Sequence, residues 1–117
     1  MLDLPYPLWS AAPNPTLLAS RDRQTGEHVF PVVPEASPLF DKYEIVPVAR
    51  EGEVYSYTVI HPSPKSGESP YALGYLDFPG PVRIFGRLVG KARPTIGDRY
   101  TARHDDKFGY VFIAADA

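Results

Sequence analysis

Apolar and polar residues alternate with a period of two along much of the chain from residue 43 onward, as they do in half-buried β-strands. The segments that show this pattern are rich in Val, Ile, Tyr and Phe: YEIVPV, VYSYTVIH, YALGYLDF, VRIFGRLVG, DRYTAR and YVFIAA. PGP separates the third segment from the fourth, and HDDKFG separates the last two, so the sequence predicts two β-hairpins. We therefore predict five or six antiparallel strands in residues 43–117, which suit a small closed or partly open barrel better than a sandwich.

The first 42 residues predict a less regular structure. Four prolines within the first 16 residues allow at most one helical turn, around residues 8–12, and weak strands are predicted at TLLAS and EHVFPVV. The single tryptophan, Trp9, lies in this proline-rich arm close to Tyr6. An aromatic cluster on such an arm either folds back on its own core or docks on a partner. We divide the chain into an N-terminal segment, 1–42, and a barrel, 43–117.

The composition restricts the possible functions. The absence of cysteine excludes a disulfide framework and a thiolate zinc site. A net charge of −2 and a pI of about 5.9 disfavour a general nucleic-acid binder. No apolar run approaches the roughly 18 residues of a membrane helix, and the N-terminus has no basic segment of a signal peptide, so we expect a cytoplasmic protein.

Positive charge is concentrated near one predicted strand. Residues 83–103 contain six basic residues and one acid, which indicates either a site for a small anionic ligand or a solvated face of the sheet. In VRIFGRLV, the alternation puts the apolar Val82, Ile84 and Leu88 on one face. The opposite face carries arginines around a phenylalanine, an arrangement that can hold phosphates and stack a base. The residues predicted to contact such a ligand are Arg83, Phe85, Arg87, Lys91 and Arg93.

The sequence contains no self-sufficient catalytic or metal-binding motif. GRLVGK is one residue short of a P-loop and has alanine where that loop needs Ser or Thr. A triad of Ser56, His61 and Asp77 lacks the strained turn that presents a nucleophile. The three histidines have no recognised spacing for metal ligands. We therefore predict no catalytic residue and no metal ligand.

Several motifs in a fixed order resemble a known family. In the N-terminal part they are Trp9, LLAS, DRQTG and FPVVP, and in the barrel they are GEVYSYTVIH, PYALGYLDF, VRIFGRLVG and IGD. This order is similar to that of the acyl-CoA-associated OB-fold proteins, which have an N-terminal rubredoxin-like zinc ribbon and accompany thiolase-fold enzymes. The resemblance implies a five-stranded OB-fold barrel.

The zinc-ligand cysteines of that family are absent here. Asp22 and Thr25 stand where the first C-x-x-C pair would be, and the second pair would fall near Ala36 and Leu39. These side chains cannot form a thiolate site. We therefore expect a degenerate, metal-free ribbon that is held by packing of aromatic residues against the barrel or a partner.

The resemblance also implies an accessory role without catalysis. Members pair with thiolase-fold subunits that act on acyl-CoA thioesters, as thiolases or, in steroid side-chain breakdown, as aldolases, and they help to form the coenzyme A site. We expect no tightly bound cofactor and a hetero-oligomer. The residues predicted at the partner interface are Tyr6, Trp9, Phe30, Phe40 and Tyr71. The alternative is an OB-fold module for single-stranded nucleic acid that uses Tyr71, Tyr75 and Phe85 as stacking platforms.

Overall fold

The computed structural model describes residues 4–11 and 13–115, which form a three-stranded sheet and a closed five-stranded barrel. The small sheet has the strand order β2-β1-β3, and the barrel has the order β4-β5-β6-β8-β7. The strands are β1 Leu18–Asp22, β2 His28–Val29, β3 Tyr43–Pro47, β4 Glu51–Ile60, β5 Tyr71–Phe78, β6 Val82–Val89, β7 Arg99–Asp105 and β8 Gly109–Ala114. Helical structure in the described residues is limited to the 3-10 turns Phe40–Lys42 and Pro64–Ser66, so the predicted all-β OB fold is confirmed.

Both predicted hairpins are present in the barrel. β5 pairs antiparallel with β6 across PGP, and β7 pairs antiparallel with β8 across the turn at residues 106–108. β4 joins the two hairpins because it pairs with β5 on one side and with β7 on the other. A short parallel pairing of β6 with β8, at Leu88 with Phe112 and Val89 with Ile113, closes the barrel.

The strand YEIVPV, which the alternating pattern grouped with the barrel region, lies in the small sheet. Tyr43–Pro47 pairs antiparallel with β1 over its whole length, from Tyr43 opposite Asp22 to Pro47 opposite Leu18. An alternating strand fits either sheet equally well, because the period fixes which side chains share a face but does not fix the neighbouring strand.

One hydrophobic core joins the small sheet to the barrel. The buried cluster of the barrel also contains three residues that lie in or next to the small sheet: Leu17, Ala19 and Val48. The largest side chains of the cluster are Phe78, Tyr100 and Phe112. As predicted, the buried face of β6 carries Val82, Ile84 and Leu88.

The proline-rich arm follows β1 rather than forming a helix. Trp9 makes an isolated antiparallel bridge with Leu17, and the Leu8 carbonyl accepts a 2.8 Å hydrogen bond from the Leu18 amide. Residues 8–11 are therefore not helical, since Trp9 forms a bridge and residue 11 lies in a bend, and residue 12 of the helical turn considered above lies outside the described residues. No helix in the described part of the chain is long and apolar enough to cross a membrane.

Candidate functional site

The outward face of the β5–β6 hairpin carries an ordered series of aromatic and charged side chains. The strand register places Asp77 opposite Arg83, Tyr75 opposite Phe85, and Leu73 opposite Arg87. The rings of Tyr75 and Phe85 meet edge to face, with centroids 5.0 Å apart. Arg83 and Phe85 are exposed and Arg87 is half-buried, so the strand presents the face that its alternation predicted.

Arg83 is already bound within the protein. Its Nε and Nη2 donate hydrogen bonds of 2.6 and 3.1 Å to the two carboxylate oxygens of Asp77, and its guanidinium lies 3.5 Å from the ring centroid of Tyr55. The hydrogen bond to Asp77 raises the pKa of Arg83. The charge of Arg83 is therefore largely balanced by Asp77 before any ligand arrives.

Arg87 lies in a different environment, between two aromatic rings. Its guanidinium carbon lies 4.3 Å from the ring centroid of Tyr71 and 5.6 Å from that of Phe108. Among the described residues, no carboxylate lies within ion-pair distance of Arg87. Arg87 therefore keeps its hydrogen-bond donors for a ligand, while the flat faces of the guanidinium are held by stacking.

The Arg87 side chain lies in a surface cleft with a volume of about 430 Å³. The cleft, which we call the Arg87 cleft, receives residues from the β4–β5 loop, from β5 and β6, and from the β7–β8 turn. It is lined by Glu68, Tyr71, Leu73, Phe85, Gly86, Arg87, Lys107, Phe108 and Tyr110. Strands two and three and these two loops form the ligand-binding face of many OB folds. The barrel thus has a cleft of this volume at the position where OB folds commonly bind ligands.

Tyr110 forms the floor of the Arg87 cleft. Its hydroxyl donates a 2.5 Å hydrogen bond to the Phe85 carbonyl. Burial, with a smaller effect from Tyr6, raises the pKa of Tyr110 to about 12, so the hydroxyl remains a donor at neutral pH. The Phe85 carbonyl lies before the short β6–β8 pairing, and the tyrosine therefore links β6 to β8 where their backbones do not pair.

Gly86 is required for this floor. A β-carbon at residue 86 would lie 2.7 Å from Cε2 of Phe112 and 3.0 Å from Cε2 of Tyr110. Contacts this short force the rings to move, and Phe112 is fully buried. The glycine in VRIFGRLV therefore lets two aromatic rings pack directly under β6.

The β7–β8 turn supplies the second wall of the cleft. The Asp105 carboxylate accepts hydrogen bonds from the amides of Lys107 and Phe108, at 3.0 and 2.7 Å. These bonds shape the turn, and the side chains of Lys107 and Phe108 face Arg87 across the cleft. The sequence analysis missed both residues because it interpreted HDDKFG only as a polar hairpin loop, although an aromatic residue inside a charged turn was a usable signal.

Lys91 and Arg93 do not line the Arg87 cleft. Lys91 Nζ lies 3.2 Å from the Asp98 carboxylate, which also accepts a 2.9 Å hydrogen bond from the Thr95 amide. These two contacts, the Thr95 amide first, lower the pKa of Asp98. Of the five residues predicted to contact an anionic ligand, the structure brings together only Phe85 and Arg87; Arg83 lies apart from the cleft, as do Lys91 and Arg93.

Among the residues predicted at a partner interface, Trp9 and Phe30 pack against the core of their own chain. All five of these residues are half-buried: Tyr6, Trp9, Phe30, Phe40 and Tyr71. Their role in an interface stays a prediction. The exposed aromatic side chains are instead on the barrel: Tyr55 is 51% exposed, Tyr75 42%, Phe85 46% and Phe108 45%.

The segment predicted to be a degenerate zinc knuckle forms a tight turn around the buried carboxylate of Asp22. Oδ1 of Asp22 accepts hydrogen bonds from the amides of Gln24 and Thr25, at 2.8 and 3.1 Å. Gly26, at φ 77°, donates its amide to the Asp22 carbonyl at 2.9 Å. The amides of Thr25 and Gln24, followed by Lys42, lower the pKa of Asp22 against the opposing effect of burial. In the described part of the chain, no three His, Asp or Glu residues cluster as metal ligands would.

A closed five-stranded barrel with a cleft on its second and third strands defines an OB-fold domain. Residues 45–104 match the model of the family described as ChsH2, C-terminal OB-fold domain. The match covers 60 of the 117 residues, and the chain belongs to this family. The resemblance to OB-fold accessory proteins of thiolase-type enzymes is thereby confirmed.

Two curated relatives of this chain are thiolase subunits. The chain is 34% identical over 77 residues to benzoylsuccinyl-CoA thiolase subunit BbsA of Thauera aromatica, covering 65% of this chain and 54% of that protein. It is 30% identical over 77 residues to the BbsA subunit of Geobacter metallireducens (strain ATCC 53774 / DSM 7210 / GS-15), covering 66% and 53% of the two chains. The chain thus spans about half the length of these curated relatives.

A solved structure shares the fold. The structure titled "Ltp2-ChsH2(DUF35) aldolase" superposes with a TM-score of 0.65 at 24% identity. The superposition covers 86% of this chain and 85% of that one, so it includes both the barrel and most of the N-terminal segment.

Proposed function

We propose that this chain is a non-catalytic accessory subunit of a thiolase-type enzyme complex that acts on acyl-CoA thioesters. The names of its relatives support this proposal, since they include a subunit of an acyl-CoA thiolase and a component of an aldolase structure. The observation that carries the proposal is the Arg87 cleft, in which a guanidinium without a carboxylate partner lies among aromatic rings.

The chemistry of the Arg87 cleft suits part of a coenzyme A molecule. Coenzyme A carries a 3′-phosphate, a pyrophosphate and an adenine ring. Arg87 and Lys107 supply two positive charges at the cleft against one negative charge from Glu68, so the charged lining carries a net +1. Aromatic side chains supply ring faces and edges for a base: Tyr71, Phe85 and Phe108. A volume of about 430 Å³ lies within the range of small-molecule sites. We therefore assign the phosphate contact to Arg87 and give Arg83 a structural role.

The described residues favour a partner that supplies the catalytic groups. The register of β4 and β5 separates His61 from Asp77, because Asp77 pairs with Glu53 at one end whereas Ile60, just before His61, pairs with Tyr71 at the other. Asp77 also binds Arg83 through both carboxylate oxygens. The chain would therefore bind and orient the thioester, while a thiolase-fold subunit would provide the nucleophile and the base. The complex would be a hetero-oligomer. Condensing or cleaving thiolase chemistry and retro-aldol cleavage are both compatible with this role, in the degradation of steroid side chains or of other acyl chains.

A second candidate function is the binding of single-stranded nucleic acid. The exposed pair of Tyr75 and Phe85 on the second and third strands could stack bases, as OB folds do. The pI of about 5.9 opposes it. A gel shift with oligonucleotides across a salt series separates the two functions, because an accessory subunit would shift no oligonucleotide at physiological salt.

The proposal is tested by removing the Arg87 charge in the assembled complex. Arg87→Ala should raise the KM for the acyl-CoA thioester about tenfold or more and leave kcat nearly unchanged, since a lost charge-assisted hydrogen bond costs about 1.5–3 kcal/mol. Arg103→Ala is the matched control, because Arg103 is exposed on β7 away from the cleft. Equal KM values for Arg87→Ala, Arg103→Ala and the wild type would exclude the Arg87 cleft as the coenzyme A site.

A further inference from the structure

The N-terminal arm crosses from the small sheet to the hairpin that forms the second wall of the Arg87 cleft. The arm is fixed to β1 by the bridge of Trp9 with Leu17 and by the hydrogen bond of the Ser10 amide to the Thr16 carbonyl, at 2.9 Å. From this position the Trp9 indole Nε1 donates a 3.0 Å hydrogen bond to the Gly109 carbonyl, 100 residues further along the chain. The indole ring also lies 6.2 Å from the ring of His104 on β7.

Gly109 lies at the centre of the wall that the arm contacts. Lys107 and Phe108 precede it, Tyr110 follows it, and all three line the Arg87 cleft. A second contact comes from the residues after β2, where the ring of Phe30 meets the ring of Tyr110 edge to face at 5.7 Å. The N-terminal segment therefore contacts two consecutive residues of the hairpin, Gly109 and Tyr110.

This end of the hairpin has little backbone support from β6. The parallel β6–β8 pairing is confined to Leu88 with Phe112 and Val89 with Ile113, farther along β8. Closer to the turn, the Tyr110 hydroxyl makes the link to the Phe85 carbonyl. The position of Phe108 over Arg87 thus depends on side chains that anchor the hairpin, and Trp9 is one of these anchors.

We infer that Trp9 is a positioning residue for the Arg87 cleft. It fixes the β7–β8 turn so that Lys107 and Phe108 face Arg87. This inference rests on the proposed function only for the identity of the ligand. On this basis, the N-terminal segment contributes to ligand affinity through the hairpin, without touching the ligand.

The test uses Trp9→Phe in the full chain, because phenylalanine keeps most of the packing and removes the indole N–H. Hydrogen exchange of a peptide covering residues 104–110 should become about two- to tenfold faster, as the loss of one hydrogen bond predicts. Exchange in the β5–β6 hairpin should be unchanged. Tyr43→Phe is the matched control, because Tyr43 is a half-buried aromatic residue of the small sheet and lies on β3 rather than against the hairpin.

Several outcomes would overturn the inference. It is wrong if residues 104–110 exchange at the wild-type rate in Trp9→Phe, or if all regions accelerate by the same factor, which would show a merely global loss of stability. In the assembled complex, Trp9→Phe should raise the KM for the thioester severalfold at unchanged kcat. Suppose that Trp9→Phe exchanges faster in residues 104–110. If both Trp9→Phe and Arg87→Ala then keep the wild-type KM, the proposed function is contradicted. If only Arg87→Ala raises the KM, the inferred role of Trp9 is contradicted.

Discussion

Nζ of Lys42 lies 3.5 Å from Oδ2 of Asp22, and the amide of Arg23 donates a 3.1 Å hydrogen bond to the Lys42 carbonyl. The resemblance predicts the first cysteine pair of a zinc ribbon at Asp22 and Thr25 and the second near Ala36 and Leu39, shortly before Lys42. The structure joins the Asp22 turn to Lys42 by an ion pair and a backbone hydrogen bond. The Asp22 carboxylate also accepts two amides of its own turn, so one side chain both orders this turn and binds Lys42.

The role of Asp22 predicts a graded loss of stability on substitution. Asp22→Asn keeps an oxygen that can accept the amides of Gln24 and Thr25 but loses the ion pair with Lys42, whereas Asp22→Ala loses both. We expect the Tm to fall in Asp22→Asn and to fall further in Asp22→Ala. Asp41→Asn is the matched control, since Asp41 is exposed in the adjacent 3-10 turn. Equal melting temperatures of Asp22→Ala and Asp41→Asn would show that the knuckle is not ordered by this carboxylate.

The lowered pKa of Asp22 predicts the pH range of this effect. Folding lowers the pKa of the Asp22 carboxyl below its ordinary value of 3.8, so the stabilisation by the carboxylate is fully present well above pH 3.8. The contribution is lost as the pH falls through the lowered pKa of the folded state. The Tm difference between wild type and Asp22→Asn should therefore be constant near neutral pH and should shrink in acid. A difference that grows on acidification would contradict the sign of the pKa shift.

The absence of thiolates predicts that zinc does not hold the ribbon. Asp22 and Thr25 occupy the first pair of positions, and the residues near the second pair are Ala36 and Leu39. We expect elemental analysis of the purified chain to find far less than one zinc per molecule and a chelator to leave the Tm unchanged. One equivalent of tightly held zinc would show that other side chains replace the cysteines.

The floor of the Arg87 cleft predicts that Gly86 does not tolerate a side chain. Gly86→Ala places a β-carbon 2.7 Å from the buried ring of Phe112, so Phe112 and Tyr110 must move. Overpacking of this kind costs about 1–3 kcal/mol of the free energy of unfolding. Urea denaturation measures this loss, with Val89→Ala as the control on the exposed face of the same strand. A wild-type stability of Gly86→Ala would mean that the two rings have room to shift.

The raised pKa of Tyr110 predicts a loss of stability at high pH. Its folded pKa of about 12 exceeds the ordinary value of 10, so the neutral hydroxyl stabilises the fold fully below pH 10, and this stabilisation is lost as the pH rises toward 12. Tyr110→Phe should lower the free energy of unfolding by about 0.5–1.5 kcal/mol at neutral pH, because the hydrogen bond to Phe85 is removed. An absorbance titration should lose the tyrosine step near pH 12 in this variant. Retention of that titration step would assign it to another tyrosine.

The alternating sequence predicted the faces of β6 correctly because a period of two fixes the side on which each residue lies. It did not distinguish Arg83 from Arg87, because that difference depends on register: Asp77 falls opposite Arg83, whereas Leu73 falls opposite Arg87. It also missed Phe108, since a turn residue joins a binding surface only when the hairpin folds back over a neighbouring strand. The contact of Trp9 with Gly109 spans 100 residues and has no local sequence signal.

Co-expression with a candidate thiolase-fold subunit from the same genome tests most directly whether this chain is an accessory subunit. We predict that the two chains co-elute in size-exclusion chromatography at a fixed stoichiometry measured by light scattering. We also predict that the thiolase-fold subunit prepared alone is insoluble or has a much higher KM for its acyl-CoA thioester. Separate elution of the two chains, together with a thiolase-fold subunit whose kcat and KM are the same with and without this chain, would contradict the accessory role.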